Sequence, residues 1–241
     1  MHFTHASRYA ALLARNSRPD ELSPLGFHNQ RGLVLPFAVS AKSNAVAEFK
    51  ISGRVDGCAS LLDAVSSYYS KHCTNSSGVL ERRRVPIVSL EQVLRTWLRG
   101  RNVELAKVDA QGLDVGVVRS AGTEIERLKA VQLEVVRDRP PLKCEPQYAA
   151  EPGRRSEVKC GVVVEAMREL GFEPYATNCM VHKFKEAGGC EAEMMFVRPG
   201  FNKRCVSRLW RATRAPYTSN SIECMRAAAC AAASLDPATA G

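Results

Sequence analysis

The sequence has no apolar run that approaches the ~18 residues needed to span a membrane. The segment from Met1 to Arg18 has no long apolar stretch after its basic residues, so it lacks the pattern of a secretory signal peptide. No internal repeat recurs along the chain. These absences argue against a membrane-embedded protein and against a repeat protein. We therefore expect a cytoplasmic protein with no membrane partner.

Nine cysteines are present, but no two of them are spaced as C-x-x-C, and the closest pair is Cys224 and Cys230. Tight pairs matter because two thiolates must converge on one metal ion or on each other. Cys179 and His182, with Cys190 beyond them, form the one grouping that hints at a metal. A match without paired cysteines is mostly chance. We therefore predict no metal site, and cysteines that are reduced, buried thiols.

The charge of the chain is partly local. Hydrophobic residues make up 45% of the 241 residues and charged residues 24%, which is ordinary for a globular protein. The net charge is +9, and six basic residues with no acid lie between Arg198 and Arg214. Phe201 and Trp210 lie among them, and such a pattern can hold a nucleic-acid backbone and stack its bases. A solvated surface tail is the favoured interpretation, so nucleic acid is not the partner that we expect.

Hydrophobic periodicity divides the chain into short helices and strands. The clearest helix begins at Ser89, which can form a capping box with Gln92, and Gly100 is placed to end it. Residues 53–84 show no regular pattern, and we predict them to be irregular. The other predicted helices cover residues 6–16, 113–121 and 158–170, and the predicted strands cover residues 45–51, 103–108, 130–136, 172–177 and 191–197.

The order of these elements predicts the fold class. Short strands that alternate with amphipathic helices indicate an α/β fold with a parallel sheet covered on both faces. We expect residues 103–109 and 130–136 to be adjacent parallel strands, joined by the helix over 113–121. The last two strands have no helix between them, which predicts a closing β-hairpin at one edge. We expect a domain over residues 1–200 and a disordered tail, basic and then alanine-rich, over residues 201–241.

The segment from Lys107 to Asp114, which reads Lys-Val-Asp-Ala-Gln-Gly-Leu-Asp, resembles the signature of FkbM-family methyltransferases. That signature is a strand ending in an acid, then an acid or amide, a glycine, and a second acid that opens a helix. The common form has glutamate where Gln111 stands, although an amide version also occurs. The resemblance spans about residues 2–198 and is continued by residues 2–16, 38–40, 57–61, 86–94 and 131–135, which are similar to family elements in the right order.

The resemblance implies a Rossmann-like class I methyltransferase fold with S-adenosylmethionine as the cofactor. It implies transfer of the cofactor's methyl group to a hydroxyl oxygen of a small-molecule or glycan acceptor. Which acceptor is used, and which oligomeric state the protein has, are not readable from the residues. Carried over to this sequence, the catalytic candidates are Asp109, Gln111 and Asp114, and the cofactor-binding candidates are Ala38, Val39, Asp109 and Gly112.

The chemistry of the signature agrees with a site. Asp109 follows a strand's carboxyl end, where ligands bind in doubly wound sheets, and Gly112 allows close backbone approach. Asp109 or Asp114 would accept the hydroxyl proton or orient the nucleophile. An acid at this strand end holds a divalent metal in some related methyltransferases, so that role stays open. The alternative is that both acids merely cap the helix at its positive end; we favour function for them, and weigh the two equally for Gln111 and Ser60.

The sequence also departs from the family pattern. It contains no glycine-rich turn and neither of the family's first two core strands, and Met1 stands where the second strand should end. We therefore expect a truncated domain, with the third core strand unpaired, one edge of the fourth exposed, and cofactor binding lost. The other hypothesis is a non-catalytic methyltransferase-like binding protein, whose basic tail contacts nucleic acid or another acidic partner.

Overall fold

The structure is a computed structural model. It describes residues 37–41, 43–52, 59–63, 79–138, 144, 146, 148–149, 156–175, 179 and 190–202. The predicted helix over residues 6–16 and nearly all of the predicted tail, Trp210 included, lie outside the described residues.

The described residues form two mixed sheets and a small number of helices, and both sheets belong to one compact unit of the chain. The strands are β1 (Ala38–Val39), β2 (Ala45–Ser52), β3 (Ala59–Ser60), β4 (Val79–Val88), β5 (Ala106–Lys107), β6 (Ala130–Val136), β7 (Glu173–Tyr175) and β8 (Glu191–Val197). The helices are α1 (Leu90–Gln92), which continues as a π-helix (Val93–Trp97), α2 (Asp114–Arg119), a 3-10 helix (Gly122–Arg127) and α3 (Cys160–Glu169).

The first sheet has the strand order β1-β4-β2-β3. Strands β2 and β4 form its long antiparallel ladder, in which Ala45 pairs with Ile87 and Glu48 with Arg84. Exposed residues alternate with less exposed ones along both strands, as a two-residue period requires when one face is in contact with water; the exposed ones are Val46 and Glu48 on β2 and Arg82, Arg84 and Pro86 on β4. An ion pair between Arg82 and Glu48 ties the two strands together on the exposed face.

Two expectations about this region were wrong. Residues 53–84 were predicted to be irregular, but β3 and the first part of β4 fall in that range. Three consecutive arginines, residues 82–84, hide the period of β4, and its partner β2 is far away in sequence. The segment that resembles the family's third core strand was expected to be unpaired, yet Ala38 and Val39 pair in parallel with Ile87 and Val88.

The second sheet has the strand order β5-β6-β8-β7. Strands β5 and β6 are parallel, with Ala106 opposite Val131, and α2 lies between them in the chain, so the predicted strand–helix–strand unit is confirmed. Strand β8 is antiparallel to both β6 and β7. The closing antiparallel pair therefore lies at one edge, as predicted, and β5 lies at the other edge of the described strands.

The core lies on one face of the second sheet. Val131, Leu133 and Val135 of β6 are fully buried and point to the same face, because successive side chains of a strand alternate. Val118 of α2 and Met167 of α3 belong to the same apolar cluster, as do residues of α1, β1, β4 and β8. Each fully buried aliphatic side chain contributes roughly 1.5–3 kcal/mol, so this cluster is the main source of stability.

The helix that begins at Ser89 forms half of the predicted capping box. The Ser89 hydroxyl accepts a hydrogen bond from the Gln92 N–H at 3.1 Å. The Ser89 N–H donates to the Ser43 hydroxyl at 2.9 Å, and the Gln92 side chain instead donates to Asn44 at 3.4 Å. A loop that is distant in sequence has therefore replaced the second half of the capping box.

The helix limits are close to those predicted. Gly100 and Gly171 have φ values of +87° and +82° and end their helices, as the sequence predicts. Gly122 has a φ of +52°, but a 3-10 helix begins there rather than a loop. None of the described helices combines the length and the apolar content needed to cross a membrane.

All four cysteines that the structure describes are joined in disulfides, so the prediction of reduced thiols was wrong for them. Cys144 is bonded to Cys190, and Cys160 to Cys179. The partners are 46 and 19 residues apart, so local spacing could not reveal them. Cys179 and Cys190, which hinted at a metal together with His182, are thus bonded to other partners, and His182 lies outside the described residues.

We expect Ser89→Ala to lower the free energy of unfolding by about 1 kcal/mol, because the first turn of the helix loses its side-chain acceptor. Urea unfolding followed by circular dichroism measures the change. Ser89→Thr keeps a hydroxyl at the cap and serves as the matched control. Equal losses in the two variants would contradict a capping role.

Candidate functional site

The signature segment forms a tight turn between β5 and α2. The Val108 N–H donates to the Gln132 carbonyl at 2.9 Å, which extends the parallel pairing to the residue before Asp109. The next residues leave the sheet, and Gln111 and Gly112 have φ values of +50° and +97°. A left-handed conformation costs a non-glycine residue about 1–3 kcal/mol unless its surroundings hold it there. Gln111 is therefore a strained position, and the strain marks the turn as a candidate site.

Asp114 stabilises this turn through its buried carboxylate. Its side chain is buried, with 6% of its surface exposed. One carboxylate oxygen accepts the N–H of Ala110 at 3.4 Å, and the other accepts the N–H of Gly112 at 3.2 Å. Burial, and then the charge of Asp109, raise the pKa of Asp114 to about 7, although the backbone N–H groups act in the opposite direction. Asp114 thus holds together the loop that precedes α2; the alternative for it was a cap of the helix, and α2 has no side-chain cap hydrogen bond.

Gln111 connects the turn to two other parts of the chain. Its side-chain amide donates to Asp109 Oδ1 at 2.7 Å and accepts the Tyr148 hydroxyl at 2.9 Å. Its backbone carbonyl accepts the Ser60 hydroxyl at 2.9 Å. A glutamate at this position has no N–H to donate to Asp109. The amide is therefore the group that fits this arrangement, in place of the family's more common acid.

Gly112 lies close to two segments of the chain, one containing Leu62 and the other containing Tyr148. A Cβ atom at Gly112 would lie 3.1 Å from Tyr148 Cβ and 3.2 Å from Leu62 Cδ1. Ala149, next to Tyr148, donates its N–H to the Asp63 carbonyl at 2.7 Å. The turn is thus covered by residues 60–63 and 148–149, and these two segments are hydrogen-bonded to each other.

Tyr148 was not singled out in the sequence. It is buried, with 4% exposure, and its hydroxyl reaches the site. A single tyrosine in a stretch without periodicity carries no sequence signal, so only the folded chain reveals it. Ser60, for which function and structure were weighed equally, is 2% exposed and also accepts the Leu62 N–H at 3.0 Å.

A second acidic group lies on the sheet beside the turn. Burial raises the pKa of Glu134 on β6 to about 8, with further contributions from Glu191, Asp109, Asp114 and Glu193, in that order. These carboxylates therefore share one region of negative potential. Lys107 forms an ion pair with Glu193 at 2.8 Å, and Gln132 donates to the same carboxylate.

The structure brings together only some of the predicted site residues. Asp109, Gln111, Gly112 and Asp114 lie in the one turn, whereas Ala38 and Val39 belong to the other sheet. The side chains of Ala38 and Val39 are buried, with 8% and 5% exposure, and Val39 packs in the core cluster. Only their backbone groups remain for contact with a ligand.

Another group of potential metal ligands lies away from the turn. Ligand atoms of Asp138, Cys160 and Cys179 lie within 4.8 Å of one another. The two cysteines are joined in a disulfide, and a thiolate rather than a disulfide sulfur is the usual ligand. In this state the group does not offer the donors of a zinc site.

Comparisons with protein-family models, with curated proteins and with solved structures give no match to this chain.

We expect Gly112→Ala to destabilise the protein by about 1–3 kcal/mol, because the left-handed backbone and the close contact with Tyr148 both disfavour a Cβ atom. Gly116→Ala, in α2 with open space around it, is the matched control and should be neutral or stabilising by up to about 1 kcal/mol. Denaturant unfolding measures both variants. A loss in Gly116→Ala as large as that in Gly112→Ala would contradict the tight turn.

The raised pKa of Asp114 predicts a pH dependence of stability. An unfolded aspartate titrates near pH ~4, so between about pH 4 and pH 7 the folded protein binds the extra proton. Stability must therefore fall as pH rises through this window, by on the order of 4 kcal/mol from this group. Asp114→Asn should flatten the slope, measured by urea unfolding at a series of pH values. An unchanged slope would show that Asp114 is not the titrating group.

Proposed function

We propose that this protein is an S-adenosylmethionine-dependent O-methyltransferase of the FkbM type, and that Asp109 orients or deprotonates the acceptor hydroxyl. The observation that carries the proposal is the turn itself: an acid directly after a parallel strand, followed by a left-handed pair, Gln111 and Gly112, with the strained Gln111 held by hydrogen bonds from Ser60 and Tyr148 in two other segments. Strain of this kind persists where the surroundings enforce it, and it clusters at functional sites. The resemblance of residues 107–114 to the family signature supplies the reaction class.

Asp109 and Asp114 have different surroundings, and we assign them different roles. Asp114 is buried and both of its oxygens accept backbone N–H groups, so it shapes the turn. Asp109 is half-buried and follows the end of β5. The Gln111 amide donates to one oxygen of Asp109 and thereby fixes the carboxylate's orientation. A carboxylate with a fixed orientation is a suitable acceptor for a substrate hydroxyl.

The charge around the turn suits the cofactor. S-adenosylmethionine supplies an electrophilic methyl group on a positively charged sulfonium. Burial raises the pKa of Glu134, and the charges of Glu191, Asp109, Asp114 and Glu193 contribute further, so a cation beside Asp109 would be favoured. Asp109, the backbone at Gly112 and the backbone of Ala38 and Val39 would hold the cofactor. The carboxylate of Asp109 disfavours phosphorylated or carboxylated acceptors, so we propose an uncharged hydroxyl compound.

We expect Asp109→Asn to lower methyl transfer by about 100-fold or more, because the amide cannot accept the hydroxyl proton. The protein is incubated with radiolabelled S-adenosylmethionine and a panel of neutral sugars and hydroxylated metabolites. Glu126→Gln is the matched control, since that side chain is 76% exposed and should leave the activity unchanged.

Cofactor binding is measured by calorimetry on the same proteins. Saturable binding with transfer to a hydroxyl supports the proposal. No binding of S-adenosylmethionine by the protein would overturn it, and salt-dependent retention on nucleic acid would then favour the non-catalytic binding protein.

A further inference from the structure

One disulfide fixes the segment that contacts the candidate site. Cys144 is bonded to Cys190, with their Cα atoms 5.4 Å apart. Cys190 immediately precedes β8, and its carbonyl accepts the Arg137 N–H at 2.8 Å beside the end of β6. Cys190 is thus part of the sheet's rigid edge, and the disulfide attaches Cys144 to that edge.

Tyr148 follows Cys144 by only four residues, so the bond keeps it within about 14 Å of the attachment point. Without the bond, the nearest described anchor before Tyr148 along the chain is Asp138, ten residues away, which allows a reach of about 35 Å. The disulfide therefore shortens the tether on the residue that donates to Gln111 and covers Gly112.

The other contacts of this segment are individually weak. Lys159 donates to the Cys144 carbonyl, and Ala149 donates to the Asp63 carbonyl. Both are non-covalent, whereas the disulfide attaches Cys144 covalently to the edge of the sheet. The disulfide thus restrains Tyr148 in addition to the burial of its side chain, which is 4% exposed.

We propose that the Cys144–Cys190 disulfide is a redox-sensitive bond that controls the order of the turn from Asp109 to Asp114 through Tyr148. In the oxidised protein, the Tyr148 hydroxyl donates to the Gln111 side chain, and the Gln111 amide donates to Asp109. On reduction, a thiolate of a dithiol attacks one sulfur and forms a mixed disulfide. The second thiol of the reductant then resolves it, which leaves Cys144 and Cys190 as thiols and the reductant as its own disulfide.

The pair Cys160–Cys179 provides an internal control. It attaches the start of α3 to residue 179, and Cys160 lies against Met194 in the core. Neither cysteine has a described contact with the turn. Each disulfide has one buried and one partly exposed cysteine, so the two are similarly accessible to a reductant. If reduction of the two disulfides affects the turn differently, the difference arises from the position of each bond in the fold and not from its accessibility.

This inference rests on contacts within the chain and not on the proposed methyl transfer, so its test uses no activity. Hydrogen exchange of peptides covering residues 109–114 is measured by mass spectrometry, before and after treatment with dithiothreitol in the presence of a metal chelator. The variant Cys160→Ser/Cys179→Ser removes the other disulfide of the described residues. We expect reduction of that variant to accelerate exchange in these peptides by about tenfold or more, as expected for local opening.

The matched variant Cys144→Ser/Cys190→Ser should show fast exchange in the same peptides from the start and little further change on reduction. Tyr148→Phe tests the connection, because oxidised Tyr148→Phe should already show faster exchange while its disulfide stays intact. Equal exchange before and after reduction would overturn the proposal. Alkylation of Cys144 and Cys190 in the untreated native protein, or a bond that withstands dithiothreitol until the protein is unfolded, would also overturn it.

Discussion

The alternation of β6 is the constraint on which the rest of the structure depends. Val131, Leu133 and Val135 are fully buried on one face, so Gln132 and Glu134 must point to the other. Because β6 pairs with β5 on one side and β8 on the other, its register fixes both neighbours. A shift of the register by one residue would place Gln132 and Glu134 in the core and the apolar side chains on the opposite face. The apolar face therefore determines where the carboxylates gather.

Placing several carboxylates near one another is energetically unfavourable, and the hydrogen bonds of the turn explain why the fold retains them. The Asp114 carboxylate is buried, which disfavours its charged form, yet its oxygens receive backbone N–H groups of Ala110 and Gly112. Those N–H groups point inward because Gln111 and Gly112 are left-handed. Without Asp114, the partly buried N–H groups of Ala110 and Gly112 would lose their acceptor. The cost of burying the acid is thus offset by the groups that it satisfies.

Local order and the pairing of β5 with β6 were predictable from the sequence, but the pairing of β2 with β4 was not. The period of residues 130–136 and the cap at Ser89 depend on neighbouring residues, so β6, and the helix formed by α1 and the π-helix, were predicted close to their observed limits. The first part of β4 was missed because a run of arginines hides its period until β2 pairs with it. The disulfides were missed for the same reason, since their partners are brought together by the fold and not by spacing.

The candidate site shows the same division. The sequence located the turn, because an acid, a glycine and a second acid in that spacing suit a strand end followed by a helix. It did not reveal that Tyr148 and Ser60 hold Gln111, or that Asp114 faces inward while Asp109 does not. These facts decide the roles. An amide at position 111 both donates to Asp109 and accepts from Tyr148, whereas a glutamate there would set two carboxylates against each other. The choice of glutamine therefore follows from Asp109, which needs a donor, while Tyr148 donates to the amide oxygen and so orients the amide.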